Sequence, residues 1–518
     1  MCTKIVIAGS VSGLGVILVA LGAGLGWGLF PSIIEDEVIK NIVLTNTSMS
    51  YENWQKLPQP MEFQVHIMEV ENPEEVHSTG AKPKMREKGP YVYLEYKEKE
   101  NIQFSEDGNI VEYEQRTFFE YSPELSGPTL SEDDEVSVLN AALMGVLLTP
   151  DIEDDGVQLT GLAAGFNFLF DNPESVFTKV KVRDLLFDGI LIKCQGSEAI
   201  TANIFWKFVC IEMKRQFDNG LLPPAIRYDD ESKNFFYSFF YHKSNKTDGH
   251  FKVLTGKTDV KKVGEIVEWE YEPTLKFWSG DECNAIKGSD ATIFSPFMDK
   301  ETKIYVFATD LCRSIYLSYD KEISHEGISG YRYVVDALQL GNLSSRPENY
   351  CFCPPNGACL KEGAMDLFPC FNGPVILSMP HFYQAPDYEI MVENLTPSKE
   401  KHQIYLDIET LSGAPLGAGR RVQFNMMIKK IRNFDITKNL PVAVVPLIWV
   451  NEGLTLNEEN TNLLKDELIS KLIIVDGVRW GLIGVGCAVF VAGAALFFVW
   501  RGSFKKPSKK QTKRRRST

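Results

Sequence analysis

The sequence lacks the motifs that join a catalytic residue to a nucleophile, a metal or a nucleotide. Its seven histidines are scattered, and it contains neither G-x-S-x-G nor H-E-x-x-H. The glycines of GAGLGWG (22–28) lie inside a long apolar run rather than after a strand, which excludes a dinucleotide-binding loop. The acidic stretch from Asp151 to Gly156 resembles the start of a calcium loop, but its twelfth position is Leu162 rather than glutamate. We therefore expect a protein that is not an enzyme and has no metal or cofactor.

Positive charge is also in deficit, since the formal net charge is −15 at pH 7. A nucleic-acid-binding protein needs a basic surface, so this class of function is excluded. The exception is residues 501–518, which hold nine positive charges and no acid. Because this tail directly follows an apolar run, we expect it to contact anionic lipid.

Two long runs contain no charged residue at all. They cover residues 5–30 and 480–500, and each is long enough to cross a bilayer as a helix. Trp480 and Trp500 stand at the ends of the second run, where interfacial aromatic residues are common. The first run is too long for a signal peptide, and no small-residue cleavage site follows it. The sequence therefore predicts two transmembrane helices.

The flanking charges predict the orientation of these helices. Lys4 precedes the first run and acidic residues follow it at 35–37, whereas the basic tail follows the second run. Positive flanks stay in the cytoplasm. We expect a multi-pass plasma membrane protein with residues 1–4 and 501–518 in the cytoplasm and 31–479 outside the cell. Glycosylation sequons agree with this; they lie at Asn46, Asn245, Asn342 and Asn394.

The ten cysteines fall into two groups. Cys2 and Cys487 lie in or beside the apolar runs, and Cys2 is a candidate for palmitoylation. The other eight lie between the runs, and four of them, within 351–370, show the spacings C-x-C, C-x5-C and C-x10-C. These spacings do not fit a zinc site, whereas disulfides fit an extracellular domain. The six cysteines from Cys283 to Cys370 allow fifteen pairings, so the residues alone leave the connectivity open.

The region between the apolar runs mixes strand and helix patterns. Residues 60–125, 233–320 and 370–450 alternate in polarity and are rich in β-branched and aromatic residues, which predicts strands. Residues 135–215 are more helical, and one helical face collects Leu159, Leu162, Ala163, Phe166 and Phe170. With no repeat and no long linker, we expect one α+β domain, a closed or nearly closed antiparallel sheet with a helical insertion.

Two further local patterns predict helix contacts. Asn172 and Pro173 are typical of a helix start, and the helix that follows would place Lys179 and Arg183 on one face. The first apolar run carries the glycine pairs Gly9/Gly13, Gly22/Gly26 and Gly24/Gly28, whose spacing lets a second helix approach closely. That partner is the chain's own second run, another copy, or another membrane protein.

Many segments, in collinear order from the first apolar run to the second, resemble the class B scavenger receptor family. They are NWQKLP (53–58), ENPEEV (71–76), GPYVYLEY (89–96), GSDATIFSPF (288–297), DLCRSIYLSYD (310–320), YCFC (350–353), SMPHFY (378–383), YLDIETLSGAPLGAGRRVQFN (405–425) and VPLIWVNEG (445–453). The stretch VKVRDLLFDGILIKC (180–194), followed by Cys210, is similar to the insect sensory neuron membrane proteins within this family.

The resemblance implies a β-barrel-like ectodomain with a hydrophobic tunnel and a helical apex at 135–215. It also implies disulfides that staple residues 283–370, with a fourth bridge elsewhere. The implied pairs are Cys283–Cys351, Cys312–Cys370, Cys353–Cys359 and Cys194–Cys210.

The resemblance further implies a receptor that binds hydrophobic ligands, such as lipid-like pheromones and fatty-acid derivatives, and passes them to the membrane or to an odorant receptor. Pheromone-binding proteins are possible carriers. Candidate residues at the ligand entrance are Phe166, Phe170, Lys179 and Arg183, although the two basic residues also fit an ordinary solvated face. The acidic Asp151–Asp155 stretch disfavours polyanionic ligands.

Two other functions fit the sequence. A general lipid scavenger or uptake receptor would share the fold and the tunnel. A two-span ligand-gated channel subunit would share the topology, but residues 480–500 offer no polar stripe to line a pore.

Overall fold

The computed structural model describes residues 2–152, 156–195, 204–341, 346–353 and 359–503. The sequon at Asn342, acidic residues 153–155 and the basic tail beyond 503 lie outside the described residues. The chain divides into two compact units, Met1–Lys40 with Asn457–Thr518, and Asn41–Leu456.

The described residues form helices α1 to α14 and strands β1 to β18, each numbered along the chain. The helices are Cys2–Gly24, Phe30–Ile42, Met49–Gln55, Pro73–Thr79, Pro123–Ser126, Ala141–Ile152, Gly156–Leu169, Ile204–Asp218, Asp281–Asn284, Phe368–Phe371, Pro386–Glu389, Lys399–His402, Glu458–Leu464 and Ser470–Ser503. The strands are Met61–Val70, Met85–Phe104, Ile110–Tyr121, Glu135–Leu139, Phe177–Lys181, Ile190–Ile192, Ile226–Asp229, Asn234–Tyr237, Lys246–Leu254, Ile266–Trp269, Ile304–Ala308, Arg313–His325, Ile328–Val334, Ala364–Asp366, Ile376–Ser378, Tyr405–Ile408, Pro415–Ile428 and Ala443–Thr455.

In the described part of the first unit the chain forms two long helices, the first of which continues slightly past the unit's boundary. One runs from Thr3 to Ile42 and the other from Glu458 to Arg501, each with a single π-helical turn inside it. Both contain the predicted apolar run and continue beyond it into charged sequence. The charged part stays helical because Glu and Lys are good helix formers and pair along the helix, as Lys471 Nζ does with Glu467 Oε2 at 3.0 Å.

Glycines bring α1 and α14 together. A Cβ added to Gly15 would lie 2.7 Å from the Gly486 carbonyl oxygen, and one added to Gly493 would lie 2.6 Å from the Ser12 nitrogen. Gly22 and Gly26 of the predicted pairs also face α14. In contrast, a Cβ on Gly9, Gly13, Gly24 or Gly28 would meet nothing within 4 Å. The chain's own second span is therefore one partner of the first.

The second unit is built on a 13-stranded antiparallel sheet. Its strand order is β10-β9-β3-β2-β1-β18-β17-β16-β13-β12-β11, and β15 pairs with both β14 and β17. Strands β10 and β11 stand at the two ends of this order, and one segment joins them. Ile266 N donates to Gly288 O at 2.9 Å, and Phe307 N donates to Ser289 O at 2.9 Å. The sheet thereby forms a nearly closed barrel, as the sequence predicted.

One helical prediction is wrong. Residues 177–181 form strand β5, which pairs with β4, so Lys179 and Arg183 do not share a helix face. The alternation in FTKVKV explains this, because β-branched residues on every second position suit a strand once β4 offers a partner. The region 135–215 therefore contains a two-stranded sheet as well as α6, α7 and α8. Helix α7 itself is confirmed, with Leu162 and Phe166 buried.

Candidate functional site

A cavity of about 420 Å³ lies in the second unit, within the size range of small-molecule sites. It opens between α6, α7 and α8 on one side and α10, the loop after it, and β17 on the other. Its lining is mostly apolar. The lining residues are Ala141, Ala142, Gly145, Val146, Thr149, Leu162, Phe205, Phe208, Val209, Glu212, Met213, Gln216, Leu221, Leu222, Pro223, Ala225, Ile226, Tyr237, Phe368, Phe371, Asn372, Gly373, Pro374, Val375 and Met426.

Helix α8 forms one wall of the cavity through a single face. The lining positions are three or four residues apart, which is the spacing that puts side chains on the same side of a helix. They are Phe205, Phe208, Val209, Glu212, Met213 and Gln216. The opposite face of α8 carries Lys207 and Lys214, so these two cations lie away from the cavity.

Several contacts hold α8 in place. The Cys194–Cys210 disulfide joins the helix to the end of β6, with the two Cα atoms 5.6 Å apart. The Trp206 indole donates to the Lys193 carbonyl oxygen at 2.9 Å. At Gly165, α7 approaches the backbone of Trp206 so closely that an added Cβ would lie 2.7 Å from its Cα. Any larger residue at 165 would push the two helices apart.

The facing wall comes from residues 368–375. Cys370 in α10 is joined to Cys312, with Cα atoms 6.2 Å apart, which ties this wall to the start of β12. A Cβ on Gly373 would lie 3.0 Å from the Pro223 ring, so residues 221–226 and 368–375 meet closely. Residues far apart in the sequence therefore enclose the cavity.

The mouth of the cavity exposes apolar surface. The Phe205, Phe208 and Leu221 side chains line the cavity and are 48%, 61% and 53% exposed. Large apolar side chains clustered at a cavity rim mark a binding site more often than isolated ones do. The rim is thus suited to contact an apolar ligand.

Among the described lining residues, Glu212 is the one with a formal charge at neutral pH. Its carboxylate accepts hydrogen bonds from Arg215 Nε at 2.8 Å and from Gln216 Nε2 at 3.1 Å. The bond from Arg215 lowers the pKa of Glu212, so this carboxyl is ionised at neutral pH.

The structure does not bring the four predicted entrance residues together at this cavity. Phe166 is 3% exposed and packs edge-on against Phe434, with ring centroids 5.4 Å apart, and Phe170 packs against Phe166. Arg183 forms an ion pair with Asp133 at 3.1 Å, and Lys179 lies on β5. None of the four is a lining residue. The α8 face was missed, although the apolar period of Phe205, Phe208 and Val209 was a usable signal.

A second feature is a row of side chains across the inner face of the main sheet. The strand register aligns the row. On neighbouring strands Tyr93 lies opposite Phe63, and Glu452 lies opposite Phe63 on one side and Arg420 on the other. Aromatic rings occupy one half of the row, where Phe63 contacts Phe119 and Phe240 at centroid distances of 4.8 and 5.0 Å. Charged groups occupy the other half.

Together with Asp310 and Lys243, which lie outside the strands, these charged groups form a largely buried ion network of six side chains. Arg420 donates to Asp310 at 2.7 Å and to Glu452 at 2.6 Å, and Lys97 lies 3.4 Å from Glu95. Lys97 also pairs with Glu452, and Lys243 with Asp310. The network balances three cations against three acids. The Coulomb attraction and hydrogen bonds within it offset the cost of burying each charge.

Burial and charge set the pKa values of these acids. Desolvation and the neighbouring Glu452 raise the pKa of Glu95 to about 7. For Glu452, Arg420 and Lys97 outweigh the effect of burial and lower the pKa to about 2. The Glu95 Oε2 atom is buried without a hydrogen-bond partner. Glu95 is therefore the member of the network that protonates most easily.

Histidines cluster around Glu87. Its carboxylate bonds to His66 Nδ1 at 2.8 Å and to His381 Nε2 at 2.6 Å. The His381 ring stacks on His402 at a centroid distance of 4.5 Å. Thr396 N and Ser398 N donate to the Nδ1 atoms of these two rings, each at 3.0 Å. The cluster ties loops to the sheet and is a structural feature. No group of described residues has the arrangement of a metal site.

The structure joins all four cysteine pairs that the resemblance implies, including Cys283–Cys351 and Cys353–Cys359. Cys487 is free and exposed on its helix. The described sequon residues Asn46, Asn245 and Asn394 are exposed, so a glycan has room at each.

Known proteins are similar in sequence to this chain over most of its length. The sequence model of the CD36 family matches residues 13–497. Sensory neuron membrane protein 1 of Mamestra brassicae is 35% identical over 482 residues, covering 93% of this chain and 87% of the relative. Sensory neuron membrane protein 2 of Anopheles gambiae is 31% identical and covers 95% and 93%. That of Drosophila melanogaster is 32% identical and covers 96% and 98%.

These similarities extend over the two apolar helices and the sheet-rich domain between them. The identities to proteins named 1 and 2 differ by only a few per cent, so they do not separate the two subtypes. The match is to receptors and not to enzymes. The chain therefore belongs to the CD36 family, that of the class B scavenger receptors, and is a membrane receptor with two spans.

Proposed function

We propose that this receptor binds long-chain hydrophobic ligands and passes them through its ectodomain to the membrane or to an odorant receptor, in insect chemosensation. The observation that carries this proposal is the apolar cavity with its exposed aromatic rim. Each CH₂ group removed from water gains about 0.8 kcal/mol, so a long chain gains strongly by entering such a cavity. The ligand would then reach the membrane along a path inside the ectodomain instead of crossing the water layer unprotected.

The proposal includes the placement and the partners of the protein. Both termini lie in the cytoplasm of a plasma membrane protein, which the basic flank after α14 supports. Ligands arrive as lipid-like pheromones or fatty-acid derivatives, free or on pheromone-binding proteins. The ligand reaches the helical region first, because the aromatic rim lies there. No residue performs covalent chemistry in this scheme.

The test measures ligand transfer by the purified full chain in liposomes, with a fluorescent long-chain acyl probe added outside. Gly145 lines the cavity, and a Cβ added there meets nothing within 4 Å, so Gly145→Phe fills the cavity without a clash against the backbone. The matched control is Val442→Phe, which adds the same ring at a position 71% exposed. Phe166 is a poorer place for a plug because it is part of the core.

We expect wild type and Val442→Phe to transfer the probe. Gly145→Phe should transfer it at most about a tenth as fast, because the phenyl ring fills the part of the cavity that the probe's acyl chain would occupy. Transfer that Gly145→Phe leaves unchanged would contradict a route through this cavity. Binding without any transfer would contradict delivery and indicate a docking receptor.

A further inference from the structure

The charges around the cavity are distributed unevenly. Glu212 reaches the lining, while Lys207 and Lys214 lie on the opposite face of α8 and Lys214 is paired with Asp218. Arg215 is the cation next to the cavity, and both its Nε and its Nη2 atoms bind Glu212. The Glu212 and Arg215 side chains are 42% and 58% exposed, so this ion pair lies at the water-exposed mouth, and the described lining holds no uncommitted cation.

A ligand with a carboxylate head would be held badly here. Placed near Glu212, it would meet a like charge, which destabilises its ionised form. If the ligand carboxylate replaced Glu212 as the ion-pair partner of Arg215, the Glu212 carboxylate would lose its cation and would lie beside a second anion. Water screens these interactions because the pair is partly exposed, but an uncharged head group avoids the repulsion altogether.

A hydroxyl head group fits the same place. A carboxylate has about four lone-pair sites, and Glu212 accepts three hydrogen bonds in this structure, from two Arg215 nitrogens and Gln216 Nε2. One further donor, such as an alcohol O–H, is accommodated without breaking the pair with Arg215. Thr149 does not compete as a donor, because its hydroxyl already binds the Gly145 carbonyl oxygen at 2.9 Å.

From this geometry we infer that the cavity selects uncharged long-chain ligands, with fatty alcohols foremost, over fatty-acid anions, and that Glu212 determines the preference. The inference rests on the proposed function and narrows its ligand class. In this arrangement the hydrocarbon chain of the ligand lies among the apolar residues of α6, α10 and β17, and its head group stays at the α8 wall. Glu212 is a specificity residue here and takes part in no reaction.

The test compares three ligands that share a sixteen-carbon hydrocarbon chain and differ in the head group, namely hexadecanol, palmitate and hexadecylamine. Each ligand is titrated to displace a fluorescent acyl probe from the full-length protein in nanodiscs, at an alkaline pH where palmitate is ionised. The same titrations with Gly145→Phe give the background from partition into the lipid. Glu212→Gln removes the charge, and Glu212→Lys reverses it. Glu231→Gln is the matched control, because Glu231 is exposed and outside the lining.

We expect wild type to bind hexadecanol about threefold more tightly than palmitate, because interactions with a partly exposed ion pair are screened by water. Glu212→Gln should make the two affinities equal, and Glu212→Lys should favour palmitate over hexadecylamine. Glu231→Gln should leave the wild-type ratio unchanged.

Two kinds of failure are distinguishable. If no ligand binds above the Gly145→Phe background, the cavity is not the lipid site and the proposed function fails. If ligands bind and the plug blocks them, but palmitate binds as tightly as hexadecanol or the ratio ignores Glu212→Gln, the inference about selectivity is wrong while the proposed function stands.

Discussion

At the scale of single residues, Glu95 has an environment that disfavours its charged form. It lies in the ion network of the inner sheet face, where burial and Glu452 raise its pKa from 4.5 to about 7. The folded protein therefore holds a proton that the unfolded chain releases between these two pH values. The contribution of Glu95 to stability falls as the pH rises through this window.

We predict that Glu95→Gln becomes more stable relative to wild type as the pH is raised from 4.5 to about 7. Glutamine resembles the protonated acid and does not ionise, so the variant lacks the loss that wild type suffers. The measurement is the difference in the free energy of unfolding between the two proteins across this range. A difference independent of pH would contradict the prediction.

The comparison between variants is necessary because buried histidines act in the opposite direction. Burial lowers the pKa of His66, and it lowers those of His242 and His402 to about 4 and about 3. These folded values lie below the ordinary 6.5, so the histidines contribute stability that is lost as the pH falls below 6.5. Both proteins share this loss, and it cancels in the difference.

At the scale of secondary-structure elements, the Cys194–Cys210 disulfide is one of the contacts that hold α8. Among the described side chains of this helix, Trp206 and Met213 are the buried ones. The bridge between Cys194 and Cys210 closes a loop of 16 residues, and loops of this size gain about 3 kcal/mol from a disulfide.

We predict that replacing both Cys194 and Cys210 by serine loosens α8 and weakens ligand binding by about tenfold or more, with the barrel intact. Hydrogen exchange should rise in residues 204–218 and stay unchanged in β17 and β18. The control is serine at Cys353 and Cys359, a pair separated by six residues and outside the cavity lining. Equal effects of the two double variants would show that α8 does not need its bridge.

The elements also show what a sequence can reveal. Helix α7 was predictable because Leu162 and Phe166 repeat with a helical period. Strand β5 was misassigned because Asn172-Pro173 is a strong local signal for a helix start, while the partner strand β4 is a long-range contact. The cavity could not be predicted from the sequence for the same reason, because residues 205–226 contact residues 368–375 only in the folded chain. The disulfide pairs followed from the family resemblance and not from spacing.

At the scale of the whole molecule, the chain brings its two ends together as a helix pair. Gly15 of α1 and Gly486 of α14 lie in close backbone contact, whereas Gly13 is open. This fits a membrane, where small residues let helices approach and gain van der Waals contact. The sequence offered several glycine pairs and no way to choose among them.

We predict that Gly15→Ile separates the two spans, because its Cβ alone would lie 2.7 Å from the Gly486 carbonyl oxygen. Gly13→Ile adds the same side chain where nothing lies within 4 Å and should leave the pair intact. Crosslinking between cysteines introduced at Trp27 and Trp480, whose ring centroids lie 5.9 Å apart, reports the pairing. The prediction fails if the Gly15 variant crosslinks as efficiently as the Gly13 variant.

The segment that joins β10 to β11 affects how the edges of the main sheet can interact with other molecules. Sheet edges normally expose unpaired peptide groups, which other chains can use as a template for strand addition. Here Gly288 and Ser289 occupy both terminal strands at once, through Ile266 and Phe307. Over that stretch the sheet edges offer no free peptide groups, so a neighbouring molecule cannot add a strand there.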